Sequence, residues 1–273
     1  KSKILLATGL YPPEIGGPAT YTALLEQELP KRSIRVAVLP FRVVRRLPPV
    51  LRHAVYFLRC IWMLRSKDLV YAQDPVSVGL PAMLAAKFLR KPFLMRVAGD
   101  YAWEQATQRF GVKDTIDDFQ DKKYGLRIEF LRKVQKFVAN QADVIITPSK
   151  YFQKLVAGWV RNPEKVKVIY NGIELKESNV KGQRSKVIVS AGRLVPWKGF
   201  DVLIEIMKDL PDWKLVIVGD GPEYNTLKLE IGNWKLDKRV RLMGAVPRER
   251  LLELLAEASV FVLNTSFESF SYQ

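Results

Sequence analysis

The stretch that decides the fold is Val187–Val202, VIVSAGRLVPWKGFDV. A β-branched run, Val187 to Val189, leads into Ala191-Gly192-Arg193; five residues on comes Lys198, then Gly199 and a new apolar run. The order is apolar strand, small-residue turn, two cations, helix start. In a parallel α/β unit that order presents an anion site at the carboxyl end of a strand. A diphosphate is one anion such a site suits. Arg193 can grip two oxygens with its planar fork, and Lys198 adds a mobile point charge. Two surface cations flanking an ordinary loop give the same pattern, so the rest of the chain must decide.

Downstream, the alternation continues: helix 200–210, strand 214–218, helix 223–234, strand 240–243, helix 248–258, strand 260–264. Asp220-Gly221-Pro222 and Gly244-Ala245-Val246 close two of these strands. Upstream, strands are expected at 3–8, 34–41, 69–73, 93–97, 143–147 and 166–170, with helices between them. Strands alternating with helices imply parallel sheets with right-handed crossovers. The polar, Gly-containing segment 176–186 is the best linker. The expected architecture is α/β: two Rossmann-like parallel-sheet domains, 1–174 and 187–273, joined by a linker at 175–186 and facing a cleft.

Composition narrows the function. The chain has 273 residues and 48% hydrophobic content, ordinary globular material with room for two cores. One cysteine, Cys60, rules out an internal disulfide and fits a cytoplasmic, reducing setting. One histidine, His53, rules out a His-cluster metal site and any two-histidine mechanism. Net charge is +16, and the first 170 residues hold 29 of the 44 basic residues but 14 of the 28 acidic ones. Between Lys31 and Lys67 there are ten basic residues and no acidic one. Such a block implies an anionic partner. Within it, Arg42–Arg65 is too short and too charged to span a bilayer. It can lie at an anionic membrane surface, with Phe57, Ile61, Trp62 and Leu64 dipping in, or pack on the sheet with its arginines solvated. The charge also permits a nucleic-acid binder. No recognisable binding module is present, and aromatics do not interleave with the basic block, so no nucleic-acid partner is expected.

Two strand-end loops in the first half are candidates for ligand contact. Gly9–Pro18 carries Gly16 and Gly17 just before a helix, where backbone N–H groups can approach a ligand closely; it is not the GxGxxG fingerprint. Ala98–Glu104 carries Asp100, Tyr101, Trp103 and Glu104, expected here as a loop with acceptor-side candidates. Asp114, Asp117, Asp118 and Asp121 lack the spacing of a calcium loop and read as a solvated helix start, so no metal site is expected.

With those residues in view, the chain resembles the family 4 (group 1) glycosyltransferases of the GT-B fold. The likeness rests on Tyr11–Tyr21 with its Gly-Gly pair, VIYNGIE at 168–174, AGRLVPWKGFD at 191–201, VGDGPE at 218–223, GAV at 244–246, and NTSFESF at 264–270. The last resembles the start of the family's E-x7-E motif, with Glu268 as its first Glu. The resemblance implies that Arg193 and Lys198 hold the donor diphosphate and stabilise it as it leaves. It implies that Gly17 approaches the same diphosphate, that Gly244, Ala245 and Val246 lie along the nucleotide base, and that Glu268 faces the donor sugar. The reaction would move a sugar from a UDP-, GDP- or ADP-sugar, without a metal or other cofactor and with retention at the anomeric carbon. The acceptor expected from the basic first half is lipid-linked or a polysaccharide precursor, met at the inner face of the cell membrane. The family often has a His in the turn aligned on Arg96–Asp100, where this chain has Ala98; Asp100 is the candidate to replace it as a base or sugar ligand. The second Glu of E-x7-E would fall at position 276, so a C-terminally truncated chain is expected, with an inactive fragment as one alternative and a GT-B epimerase as another.

Overall fold

The computed structural model describes residues 2–14, 16–172 and 186–268, so the 175–186 linker lies outside the described residues except for Lys186. The chain divides into two compact units, Lys1–Gly172 and Ile173–Gln273. Among the described residues, no helix is long and apolar enough to cross a membrane.

The first unit runs β1 (Lys3–Thr8), α1 (Gly17–Lys31), β2 (Arg35–Pro40), α2 (Pro49–Leu64), β3 (Leu69–Ala72), α3 (Gly79–Leu89), β4 (Phe93–Arg96), α4 (Tyr101–Phe110), α5 (Ile116–Asp121), α6 (Leu126–Gln141), β5 (Val144–Thr147), α7 (Lys150–Ala157) and β6 (Val166–Val168). All six strands are parallel, in the order β2-β1-β3-β4-β5-β6. Leu5, Leu6, Ala7, Val70, Phe93, Met95 and Ile145 are fully buried, because helices cover both faces of the sheet. The chain moves one way from β1 to β2 and the other way afterwards. Right-handed crossovers therefore set α1 on one face and α2, α3 and α6 on the other. The order reverses at β1, so the carboxyl ends of β1 and β3 form a topological switch point.

Helix α2 begins at the Pro48-Pro49 pair, where proline's fixed φ suits a first turn. Its sheet-facing side is Tyr56, Cys60 and Leu64, four apart and fully buried. The Tyr56 hydroxyl donates to the Leu39 carbonyl at 2.6 Å. Burial pushes the Cys60 thiol up to about 12, which makes it a core group rather than a reactive one. This phase corrects the sequence reading of the helix. Leu64 faces the core and Phe57 and Ile61 are half-buried, whereas Leu58 and Trp62 point out, Trp62 at 75% exposure. The basic run is also divided. Arg42 and Arg45 precede the helix and strap the β1–α1 loop: Arg42 donates to the Pro12 carbonyl at 2.6 Å, and Arg45 donates to the Gly9 carbonyl at 3.1 Å and pairs with Glu14.

The second unit runs β7 (Val187–Ala191), α8 (Phe200–Ile206), β8 (Lys214–Val218), α9 (Tyr224–Asn233), β9 (Val240–Leu242), α10 (Arg248–Glu257) and β10 (Val260–Phe261). Its four strands are parallel, in the order β10-β7-β8-β9. The last strand thus returns to the far side of β7, and the switch point falls at the carboxyl end of β7. The core is Leu194, Phe200, Ile204, Met207, Leu215, Ile217, Leu227 and Ile231. Two such core side chains contribute about 3–6 kcal/mol by burial, on the scale of a domain's whole net stability.

Candidate functional site

The loop after β7 is held by backbone. The Gly192 N–H donates to the Val218 carbonyl at 2.9 Å, and the Leu194 N–H to the Asp220 carbonyl at 3.0 Å. The Gly219 N–H donates to the Gly244 carbonyl at 2.8 Å, so the three loops after β7, β8 and β9 interlock. Glycine is required for this closeness. A Cβ on Gly219, whose φ is +142°, would stand 1.8 Å from the Gly192 carbonyl oxygen. Behind the loop, the segment after β10 packs on the turn before α8. Asn264 Nδ2 donates to the Gly199 carbonyl at 2.9 Å, and Thr265 Oγ1 and the Ser266 N–H donate to the Trp197 carbonyl at 3.1 and 2.9 Å. This brings Glu268 against Lys198, and the two form an ion pair with both side chains mostly buried. Arg193 is exposed on the same loop and has no side-chain hydrogen bond or ion pair among the described residues. Residues 70 positions apart in sequence thus make one cluster at the switch point. Ala245 is exposed beside it, and Val246 is half-buried against Val218 and Leu254.

In the first unit, Gly16 caps α1 with φ +149°, and a Cβ on Gly17 would meet nothing within 4 Å, so a ligand could lie against that backbone. The segment expected as a loop around Asp100 is instead the first turn of α4. Asp100 is the N-cap: Oδ1 accepts from the Trp103 N–H at 3.1 Å and from Gln135 Nε2 at 2.9 Å, and Oδ2 accepts from Gln120 Nε2 at 2.9 Å. At 1% exposure, that carboxylate is committed to three donors, and the geometry lends no support to a base role. Trp103 is a core residue, with its indole N–H on the Asp114 carbonyl at 2.9 Å. Glu104 is half-buried with its carboxylate over Gly99. Tyr101 is half-buried, and burial pushes its hydroxyl up despite a hydrogen bond to Ser77 and the nearby charges of Arg109 and Arg52. Three of the carboxylates at 114–121 serve the fold: Asp114 holds Lys122 and Tyr124, Asp117 accepts from Tyr151, and Asp118 accepts from the Thr115 cap hydroxyl.

Sequence reasoning missed two residues beyond β3. Asp74 Oδ1 accepts the N–H groups of Val76, Ser77 and Val78 at 2.9, 2.6 and 3.3 Å. Burial outweighs those bonds and raises its carboxyl to about 6. Gln73 is 5% exposed, and neither amide atom has a partner. The only signal was their place, just after a strand at a switch point.

These features define a pair of doubly wound parallel α/β units, and comparison with solved structures gives the fold. HepE of Anabaena in complex with UDP-glucose matches over 100% of this chain and 76% of its own, at TM-score 0.69 and 19% identity. The fold is GT-B. The Glycosyltransferase Family 4 profile matches residues 15–177 and the Glycosyl transferases group 1 profile matches 172–272, so the chain belongs to glycosyltransferase family 4. Among curated relatives, the phosphatidylinositol N-acetylglucosaminyltransferase GPI3 subunit of Saccharomyces cerevisiae is 26% identical over 52% of this chain and 34% of its own length. The chain thus matches about a third of that relative. The alpha-monoglucosyldiacylglycerol synthase of Streptococcus pneumoniae is 24% identical over 98% of this chain and 67% of its own.

Proposed function

We propose that this protein transfers a sugar, with retention, from a nucleotide-diphosphate sugar to a lipid-linked or glycan-precursor acceptor at the cytoplasmic face of a membrane. The observation that carries the reading is the Lys198–Glu268 pair beside an exposed Arg193 at the end of β7. As the glycosidic C–O bond stretches, negative charge grows on the leaving phosphate. Fixed cations lower that barrier without reorganising. Glu268 holds the Lys198 ammonium in place. Arg193, free of internal partners among the described residues, supplies the two-pronged grip. In the second unit, Gly244, Ala245 and Val246 flank the base and Glu268 orients the sugar; in the first unit, Gly17 presents its backbone N–H to a phosphate oxygen. Asp100 acts as a positioning residue for α4 and not as the base.

The lipid acceptor has two supports: relatives whose names carry phosphatidylinositol and diacylglycerol, and the outward side of α2, where Val50, Leu51, Leu58 and Trp62 stand with Arg59 and Arg65. Apolar side chains ringed by arginine suit an anionic interface. The test is a thermal-shift panel of UDP-, GDP- and ADP-sugars followed by a transfer assay on anionic vesicles carrying acceptor lipid. One nucleotide class should raise Tm, and Lys198→Ala should abolish that rise. A flat response to all three would sink the reading, and failure to bind anionic vesicles at low salt would sink its membrane part.

A further inference from the structure

A second cluster lies wholly in the first unit, on the α1 side of its sheet. The ladder pairs Ala7 with Ala72 and Ala72 with Met95. One step further sets Gln73 between Thr8 and Arg96, with all three side chains on the face that carries Tyr71. That face is fixed by contacts with α1: Thr22 Oγ1 donates to Thr8 Oγ1 at 3.2 Å, and the Tyr21 and Tyr71 hydroxyls are 3.3 Å apart. The Arg96 guanidinium lies 3.9 Å from the centre of the Tyr21 ring and donates to Asn171 Oδ1 at 3.1 Å. Arg96 is 3% exposed, and among the described residues no carboxylate pairs with it.

A buried guanidinium without a counter-charge is costly, and so is a buried amide with neither atom bonded. Here the two stand side by side. Thr8 is already engaged, its hydroxyl donating to the Leu10 carbonyl at 2.7 Å, so it offers Gln73 little. Above them is the start of α1. Pro18 has no N–H, and Ala19 and Thr20 donate to the Gly16 carbonyl at 3.0 and 3.1 Å, which leaves the Gly17 N–H at the positive end of a fifteen-residue helix. Tyr21 is one helical turn from Gly17, so α1 carries both the ring that covers the guanidinium and the free helix end, at the switch point of β1 and β3.

We propose that Arg96 and Gln73, beneath the first turn of α1, form an oxyanion pocket that takes a phosphate group of a substrate. The guanidinium fork binds two phosphate oxygens, the Gln73 amide donates to a third, and the Gly17 N–H closes the site. The same chemistry can come from the donor diphosphate or from a phosphate on the acceptor. Only that choice of source rests on the function proposed above.

The test is calorimetric titration of the full chain with pyrophosphate, UDP and glycerol 3-phosphate, at fixed ionic strength. Gln73→Leu keeps the side-chain bulk and removes the unpartnered atoms; Gln73→Met replaces it where Leu unfolds the chain. Arg96→Lys keeps the charge and loses the fork. Both variants should bind the same probe about tenfold more weakly, the loss of one charge-assisted bond, while melting cooperatively. Loss for UDP and pyrophosphate assigns the pocket to the donor; loss for glycerol 3-phosphate assigns it to the acceptor. Any result short of a loss in both variants for one shared probe overturns the proposal. Such a result, with a raised Tm for Gln73→Leu, would mean that the site holds a buried water only. Transfer activity is not the readout, so a chain that binds phosphate through Arg96 yet moves no sugar would defeat the glycosyltransferase reading and leave this pocket standing.

Discussion

Around β7, the strand-end loops touch through backbone. Gly192, Gly219 and Gly221 come so close that a methyl group on either of the last two would overlap a neighbouring carbonyl. Around β1, β3 and β4, the loops touch through buried polar side chains: Asp74 gathers three N–H groups, Asp100 gathers three donors, and Arg96 lies under Tyr21. Both regions stand at a topological switch point of a parallel sheet. The difference teaches where each can vary. The second unit frees its side chains, Arg193 above all, by letting the main chain hold the loops. The first uses its polar side chains as struts, so fewer remain to face a ligand.

The largest effect should come from forcing a side chain into the backbone-built region. Gly219→Ala puts a Cβ 1.8 Å from the Gly192 oxygen and should cost about 4 kcal/mol or more in urea melts, enough to unfold the second unit. Gly17→Ala is the contrast: nothing lies within 4 Å, so stability should stay within about 0.5 kcal/mol while donor affinity drops. Equal costs for the two substitutions would break the comparison.

Next in size are the cations. Lys198→Ala or Arg193→Ala should lower kcat for sugar transfer about 10²–10³-fold, the range for losing one fixed group that stabilises transition-state charge. Far-ultraviolet dichroism should not change, because neither side chain is part of the core. Glu268→Gln should lower kcat less, since the cations remain.

The struts come third. Asp100→Asn turns an N–H₂ toward Gln120, whose own amide is pinned by bonds to the Ile116 carbonyl and the Trp159 indole at 3.0 Å each. Two donors then face each other in a buried site, and stability should fall by about 2 kcal/mol. The folded fraction should keep its kcat; a specific loss of kcat at full stability would restore Asp100 to the chemistry.

Smallest is Asp74. Its carboxyl is raised to about 6 against an ordinary value near 4, so between those pH values the folded state binds more protons than the unfolded state. Stability should therefore decline as pH rises from about 4 to about 6, then level off. Asp74→Asn removes the titration and should gain about 1 kcal/mol above pH 6, with the pH slope abolished in guanidinium melts. A slope that survives the substitution would assign the titration elsewhere.

Much of this was readable along the chain. The β-branched and apolar runs gave β1 and β8 to the residue and the start of β7 at Val187, because a buried parallel strand needs continuous apolar character. The Gly-Gly pair before α1 and the cation pair after β7 were visible because their spacing is local. The start of α4 was not. Asp100 caps it through partners 20 and 35 residues away, so the cap looked like a loop carboxylate. The outward side of α2 was misread by phase, since both sides are apolar and only packing on the sheet decides which faces in.

By itself, the sequence determined the alternation of elements, the family, the lopsided charge and the identity of the two cations, since these follow from residue type and short-range order. Tertiary structure decided which polar groups are left over. Lys198 meets Glu268, Asp100 becomes a strut, Arg42 and Arg45 strap a loop, and Arg96 stays buried beside an unbonded Gln73. The reason is physical: a side chain's charge is written in its type, but its cost and its use depend on partners that only folding brings within hydrogen-bonding reach.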